Sequence, residues 1–396
     1  MKGSKMRPGE KVGAIVLGGD FQGLGVIRSL AENDIPVFLV EHEWSIGRYS
    51  RYSKRKKYFP QLLDENKFLP FLMELSSNED LQGWVLFPNS DDTVKLLSIH
   101  KDELSRVYKV TVPSWDIVRI FYYKLNCYEY ASRLGIPVPK TYKHNNLEEL
   151  LSQPLDYPLV LKPNNKEKYF TITKKKAVRV DNPDALKLEY SKMAALVKPE
   201  NVVVQEMILG GPKHLYSFAT VFDGENILAG LSARRVRQHP MDFGRATTYA
   251  EAVEIPELED LTLRLLRGIK YTGIAEVEFM FDEKTGLYKF LEINGRPWGW
   301  HTLTKAAGVN MPHALFRYVQ GERIERVRPK YDVKWLRLIT DLPVILKEIA
   351  SGRLSLREYS KSWDRNTEFA VFSRKDPVPF FMEFLMLPYL YYKRGY

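Results

Sequence analysis

The chain has 396 residues, 44% hydrophobic and 27% charged, an ordinary globular profile with length for two or three domains and a large core. Its single cysteine, Cys127, excludes an intrachain disulfide framework and makes the cytoplasm the default compartment. The formal net charge of +10 suits nucleic acid, an anionic membrane surface or a small anion such as a nucleotide.

The start, MKGSKMRPGEKVGAIVLGG, is basic, but its apolar run is short and ends in glycines, so a buried strand is expected there and not a leader peptide. Residues 12–20 are predicted to run as a strand into a Gly-rich turn, 22–33 as a helix and Val37 to Glu41 as the next strand. Val85 to Pro88 ends a further strand before a helix cap at Asn89 to Asp92. Alternating strands and helices imply a parallel α/β sheet over residues 1–115. Gly18, Gly19, Gly23 and Gly25, with Glu41 further on, imitate a dinucleotide fingerprint without its spacing. A tight βα turn or an anion site at the helix N-terminus fits equally. The run RYSRYSKRKK (48–57) interleaves cations with tyrosines, as single-strand binders do. No nucleic-acid motif accompanies it, so a solvated surface is expected.

Between 116 and 205 the texture changes. A helix opens at Tyr123-Lys124 and ends at GIPVP (135–139). The strand 158–163 delivers Lys162, a basic loop with Lys166, Lys168 and Lys174 to Lys176 follows, and VVVQEMI (202–208) forms another strand. Strands at 215–222 and 226–231 precede the most telling pattern, AEVEF (275–279) and FLEINGR (290–296) about a Lys284-Thr285-Gly286 turn. If the turn centres on Thr285, Glu278 lies opposite Glu292 and Glu276 opposite Asn294, all on one face, with Val277, Phe279, Leu291 and Ile293 on the other. Opposed carboxylates destabilise a bare hairpin. A hard divalent cation reverses that sign, and Mg²⁺ completes its shell with phosphate oxygens. Residues 331–396 differ in character, being rich in Leu, Tyr and Phe. Their run FFMEFLMLPYLYY (380–392) is too short to span a bilayer. It reads as a helix packed on the protein, with a peripheral membrane contact as the second reading.

Lys124, the GIPVPKT stretch, VLKP with Lys162, VVVQEMI with Glu206, and AEVEF…FLEINGR occur in one order. In this the chain resembles the ATP-grasp superfamily over about residues 10–325, above all its predicted carboligases, including carbamoyl-phosphate-synthase-like and amino-acid ligase members. The tail, with FSRKDPVP (372–379), also looks like theirs. The resemblance implies a pre-ATP-grasp parallel-sheet domain (1–115), a two-lobed α+β ATP-grasp fold (116–205 and 206–330, the second lobe carrying the metal) and a C-terminal extension (331–396). It implies ATP bound by Lys124, Lys162, Gln205, Glu206 and Ile208, with the backbone of Glu206 and Ile208 reading the adenine edge. It implies Mg²⁺, with Mn²⁺ as the alternative, on Glu278, Glu292 and Asn294, and Arg296 and Arg235 as the catalytic guanidiniums. Arg234 and Arg237 offer further forks for phosphate or carboxylate. Two departures stand out: the phosphate-covering stretch 164–176 contains no glycine, and no ribose-holding acid is evident in Gly210 to His214.

The activity implied is ATP-dependent ligation of a small-molecule carboxylate to an amine through an acyl-phosphate, releasing ADP and phosphate, in a cytoplasmic or membrane-peripheral protein that forms a homodimer. The rivals are a carboxylase or carbamoyl-phosphate-synthase-like enzyme using bicarbonate or carbamate, a nicotinamide oxidoreductase using the Gly18–Gly25 turn, and a non-catalytic nucleotide, nucleic-acid or membrane-surface binder.

Overall fold

Three nearly uninterrupted apolar stretches, AIVL, VFLVE and VLFP, mark the first part of the chain, and burial on both faces of a parallel sheet explains their lack of alternation. In a computed structural model, which describes residues 11–241, 244 and 246–394, β1 (Ala14–Leu17), β2 (Val37–Glu41), β3 (Arg55–Tyr58), β4 (Val85–Pro88) and β5 (Lys109–Val110) form one parallel sheet in the order β3-β2-β1-β4-β5. The basic start, residues 1–10, lies outside the described residues. The strand order reverses between β1 and β4, which opens a crevice at their carboxyl ends. Gly18 to Asp20 and Asn89 to Asp91 meet there: Asp20 caps the helix Phe21–Ala31 and accepts from Asn89 Nδ2 at 2.5 Å.

The glycines of this turn answer to packing. A Cβ on Gly23 would lie 2.0 Å from the Gly18 carbonyl oxygen, and one on Gly19 would lie 2.3 Å from Ser45 Oγ. Glu41, the acid a dinucleotide would need for its ribose, is 1% exposed, accepts from Ser45 Oγ and pairs with Arg48 at 3.6 Å. Of the three readings of the turn, the tight βα turn matches these contacts. The basic run from Arg48 to Lys57 leads into β3, an edge strand whose residues are all exposed, where charge blocks edge-to-edge pairing. Arg48 lies 4.3 Å over the Trp44 ring, and Arg55 pairs with Glu79.

β6 (Thr141–Tyr142), β7 (Leu159–Pro163), β8 (Val178–Val180) and β9 (Val202–Glu206) form an antiparallel sheet in the order β6-β9-β7-β8. The stretch expected as a basic loop contains a helix, Lys166–Thr173. With no glycine to break it, the segment turns Tyr169 into the core beneath the sheet, 5% exposed, and Lys174 ends it at φ 57°. The side chains of Lys166 and Lys168 are not among those described.

β10 (Leu215–Phe222), β11 (Ile227–His239), β12 (Ala246–Ala252), β13 (Gly273–Asp282) and β14 (Leu287–Asn294) continue into β15 (Lys334–Leu336) and β16 (Thr367–Phe369). The seven strands run in the order β14-β13-β10-β11-β12-β15-β16. This sheet therefore extends past residue 330 into the tail. One hydrophobic core joins Val26 and Leu30 of the first helix, Ala219 and Leu231 of the sheet, and Trp335 and Met386 of the tail. The apolar run 380–392 breaks into two short helices, Val378–Leu385 and Leu387–Arg394, with Pro379 on the first, Leu390 on the second and Met386 between them buried. No helix among the described residues is long and apolar enough to cross a membrane.

Candidate active site

The acidic hairpin is built by β13 and β14, with Glu278 facing Glu292 and Glu276 facing Asn294. The turn centres half a residue short of Thr285, and the register shifts between Glu278 and Phe279. A β-bulge makes up the difference. Its extra residue is Leu291, which was expected in the core and instead lines the cleft beside Glu292. Val277, Phe279 and Ile293 are buried as their alternation requires.

Asn294 Nδ2 donates to Glu276 at 3.1 Å and to Glu278 at 3.0 Å, and Arg235 from β11 reaches Glu278 at 3.3 Å. Glu276 is 2% exposed and one of its oxygens finds no hydrogen-bond partner. Burial first, and then the Glu278 charge, pushes its carboxyl well above the usual carboxylate range. Burial pulls the Arg235 guanidinium down, but the surrounding carboxylates of Glu278, Glu276 and Glu292 outweigh it and raise it. Arg296 is held by Asp91 at 2.7 Å, from the crevice of the first sheet. No three His, Cys, Asp or Glu side chains among the described residues form a ready metal cage. One acceptor among these crowded oxygens, on Glu276, is unmet, and Glu278, Glu292 and Asn294 beside it could hold a hard divalent cation such as Mg²⁺, with phosphate and water completing its shell.

Two cavities meet at this hairpin. The first, about 230 Å³, lies between the four-stranded and seven-stranded sheets. Its walls are apolar, with Val160, Met207, Ile208, Leu215, Met280 and Leu291, and Lys124 and Lys162 enter it from two sides. The second, about 360 Å³, lies on the other side of the carboxylates, against Gln22, Asn294, Arg296 and Trp298. Lys176, Arg235, Glu278 and Glu292 line both.

At the connection between sheets, the Glu206 N–H is donated to the Lys140 carbonyl and the Met207 N–H to that of Pro158. The Ile208 N–H has no such bond among the described residues, and Ile208 lines the cavity. The Glu206 side chain turns to Lys289. Gln205, expected to touch nucleotide, is fully buried: its Oε1 accepts from Lys162 Nζ at 3.2 Å and its Nε2 donates to Thr141 at 2.8 Å. It lies behind the cavity wall and positions Lys162.

Of the three arginines on β11, one reaches the site. Arg234 pairs with Glu251 at 2.8 Å. The register slips between Arg235 and Arg237, and Arg237 is spent on Asp341, 2.9 Å from each of its oxygens, and on Ser362. Sequence reasoning missed four residues here. Lys176 was visible only as one cation in a run. Asp91 read as a helix cap. Arg337 and Lys393, which also line the second cavity, come from the tail, and no local signal connects them to it.

Residues 236–327 match the family model of the carbamoyl-phosphate synthase L chain ATP-binding domain. The chain is 23% identical over 331 residues to a D-aspartate ligase of Enterococcus faecium, covering 78% of this chain and 76% of that protein. Over residues 236–327 the chain is similar to ATP-binding domains of the ATP-grasp type. Its fold is shared with a biotin carboxylase domain from Hydrogenobacter thermophilus at TM-score 0.64 and 16% identity, covering 82% of this chain and 74% of that one. It is shared also with an L-amino acid ligase from Bacillus licheniformis at TM-score 0.61 and 14% identity, over 78% and 74%.

Proposed function

We propose that this protein is an ATP-dependent carboxylate–amine ligase of the ATP-grasp type that works through an acyl-phosphate. The observation that carries the reading is the junction of two cavities at Lys176, Arg235, Glu278 and Glu292: one cavity for nucleotide, one for the acid, with the charged residues where the γ-phosphoryl group would pass between them.

Lys124 and Lys162 neutralise phosphate oxygens in the first cavity, and Gln205 holds Lys162 to that task. The backbone carbonyl of Glu206 and N–H of Ile208 meet the adenine edge. Mg²⁺ held by Glu278, Glu292 and Asn294, with Mn²⁺ as the alternative ion, would supply charge neutralisation on the phosphates. Arg296, oriented by Asp91, and Arg235 face the charge that develops in transfer. A carboxylate oxygen attacks the γ-phosphorus, the β–γ bridging P–O bond breaks and ADP leaves. The amine nitrogen then attacks the acyl carbon, the C–O bond to phosphate breaks, and phosphate and a proton depart. Holding acid and nucleotide in line supplies much of the rate. A homodimer belongs to the same reading, since the Hydrogenobacter domain was solved as a dimer, and light scattering tests it.

The test is ADP release with panels of carboxylates and amines, D-aspartate among the first acids because of the Enterococcus relative. Hydroxylamine should trap a hydroxamate whenever the right acid and ATP are both present. A carboxylase is the second reading, favoured by the Hydrogenobacter domain, which was solved with MgADP and bicarbonate. ADP release with bicarbonate alone, and no hydroxamate with any acid, would replace the ligase reading with that one.

A further inference from the structure

Apart from Lys393, which lines the second cavity, the last stretch of the chain has a surface that ligation does not use. Phe372 to Arg394 contain two acidic residues, Asp376 and Glu383, and both are turned inward. Asp376 is 1% exposed and accepts from Arg28 at 3.0 Å, from Ser50 at 2.7 Å and from the Arg51 N–H at 2.9 Å. Glu383 is 2% exposed and pairs with Arg337 at 2.9 Å. The cations of the same stretch, Arg374, Lys375 and Lys393, are exposed.

Anchoring the acids inside turns the apolar side chains out. On the helix Val378–Leu385, Val378, Phe381, Phe384 and Leu385 are exposed, at the three- and four-residue spacing of a single helical stripe. On the next helix Leu387, Tyr391 and Tyr392 are exposed. Phe381 is 61%, Leu385 73% and Tyr392 84% accessible. The stripe continues as a line of rings, Trp363–Phe369–Phe372–Phe380–Phe384, with successive centroids 5.5, 6.1, 5.3 and 5.1 Å apart. Over Phe372 to Lys393 this connected apolar and aromatic patch has only cations exposed beside it, which is not an ordinary soluble surface.

We propose that this face docks on an anionic lipid surface, with the two short helices lying in the headgroup plane. Charge decides the occupant. A second copy related by a two-fold axis would bring the same patch against itself, setting Arg374, Lys375 and Lys393 against their own copies in a chain of net charge +10. Anionic headgroups complement those cations, while Phe, Tyr and Leu enter the headgroup–acyl boundary. Lys393 also lines the second cavity, so docking would hold the mouth of that cavity close to the lipid.

Sedimentation of the full chain with vesicles of phosphatidylcholine, with and without phosphatidylglycerol, tests this. Wild type should pellet with the phosphatidylglycerol vesicles at low salt, weakly at high salt, and little with phosphatidylcholine alone. Phe381→Ser/Leu385→Ser should weaken that binding about tenfold or more. Arg374→Glu/Lys375→Glu, which leaves the apolar stripe intact, should do so at low salt. Thermal melting should stay at the wild-type value in at least the second variant. The proposal is overturned if wild type stays in the supernatant throughout, if both variants bind as wild type does, or if light scattering shows the first variant splitting a dimer. Binding is read without ATP, so its failure leaves the ligase reading untouched.

Discussion

Arg235 and Arg237 stand two residues apart on β11, the first half-buried and the second buried, each against a carboxylate, and differ in how far their charge is met. Arg237 is saturated: both Asp341 oxygens, Ser362, and the Tyr249 ring 4.2 Å beneath the guanidinium. Arg235 makes a looser 3.3 Å contact to Glu278, and its Nε has no hydrogen-bond partner. Its neighbour Glu276 is likewise incomplete. A saturated buried pair is architecture, because any ligand would have to break it. An unsaturated cluster has an outstanding electrostatic demand, one that a cation with phosphate would meet.

The largest effect expected from this contrast lies on the unsaturated side. Glu292→Ala or Glu278→Ala should lower Mg²⁺-dependent ADP formation by roughly a thousandfold or more, about 4 kcal/mol of transition-state stabilisation. The melting temperature without nucleotide should hold or rise for Glu292→Ala, since one of several repelling carboxylates is gone, and fall for Glu278→Ala, which takes a counter-ion from Arg235. Undiminished turnover in either variant would sink the metal assignment.

On the saturated side the loss should be of stability instead. Arg237→Ala leaves Asp341, fully buried, without its counter-ion, at a cost of about 3–5 kcal/mol. Arg237→Met/Asp341→Leu should recover most of that in urea unfolding. If the single variant keeps wild-type stability but loses ADP formation, Arg237 belongs to the site and the contrast fails.

How much of this could be read beforehand follows from which contacts are local. The facing of Glu278 and Glu292 was legible because a hairpin register is set by a nearby turn and a period of two. The bulge that sends Leu291 to the cleft was not, since one extra residue leaves no mark in an apolar sequence. The slip after Arg235 was hidden for the same reason, so three arginines looked alike until Asp341, about a hundred residues on, claimed one. Lys124 and Lys162 were legible from their order among the motifs. Their common cavity was not, because it is made by packing two sheets against each other. The tail looked detached because its composition changes, yet β15 and β16 complete a sheet whose other strands lie far earlier in the chain.

His301 extends the comparison to a titrating group behind the site. It is 1% exposed, with Nδ1 2.9 Å from the Trp298 carbonyl, and burial lowers its pKa to about 4. The unfolded imidazole titrates near 6.5, so between those values the unfolded chain binds a proton that the folded chain refuses. Its share of stability is complete above about pH 6.5 and is lost as pH falls toward 4, up to about 3 kcal/mol. His301→Asn should flatten the urea-unfolding free energy over that window. An unchanged slope would assign the acid sensitivity to other groups.

The smallest effect separates contact from support. Lys162 enters the first cavity, while Gln205 only holds it from behind. Gln205→Leu removes one charge-assisted hydrogen bond to Lys162, worth about 1.5 kcal/mol, and should raise KM for ATP roughly tenfold with kcat nearly unchanged. Lys162→Met should depress kcat as well, because it deletes the charge that the transferring phosphates meet. If Gln205→Leu lowers kcat as far as Lys162→Met does, Gln205 takes part in the transfer, and the wall between contact and support stands one residue deeper than the cavity shows.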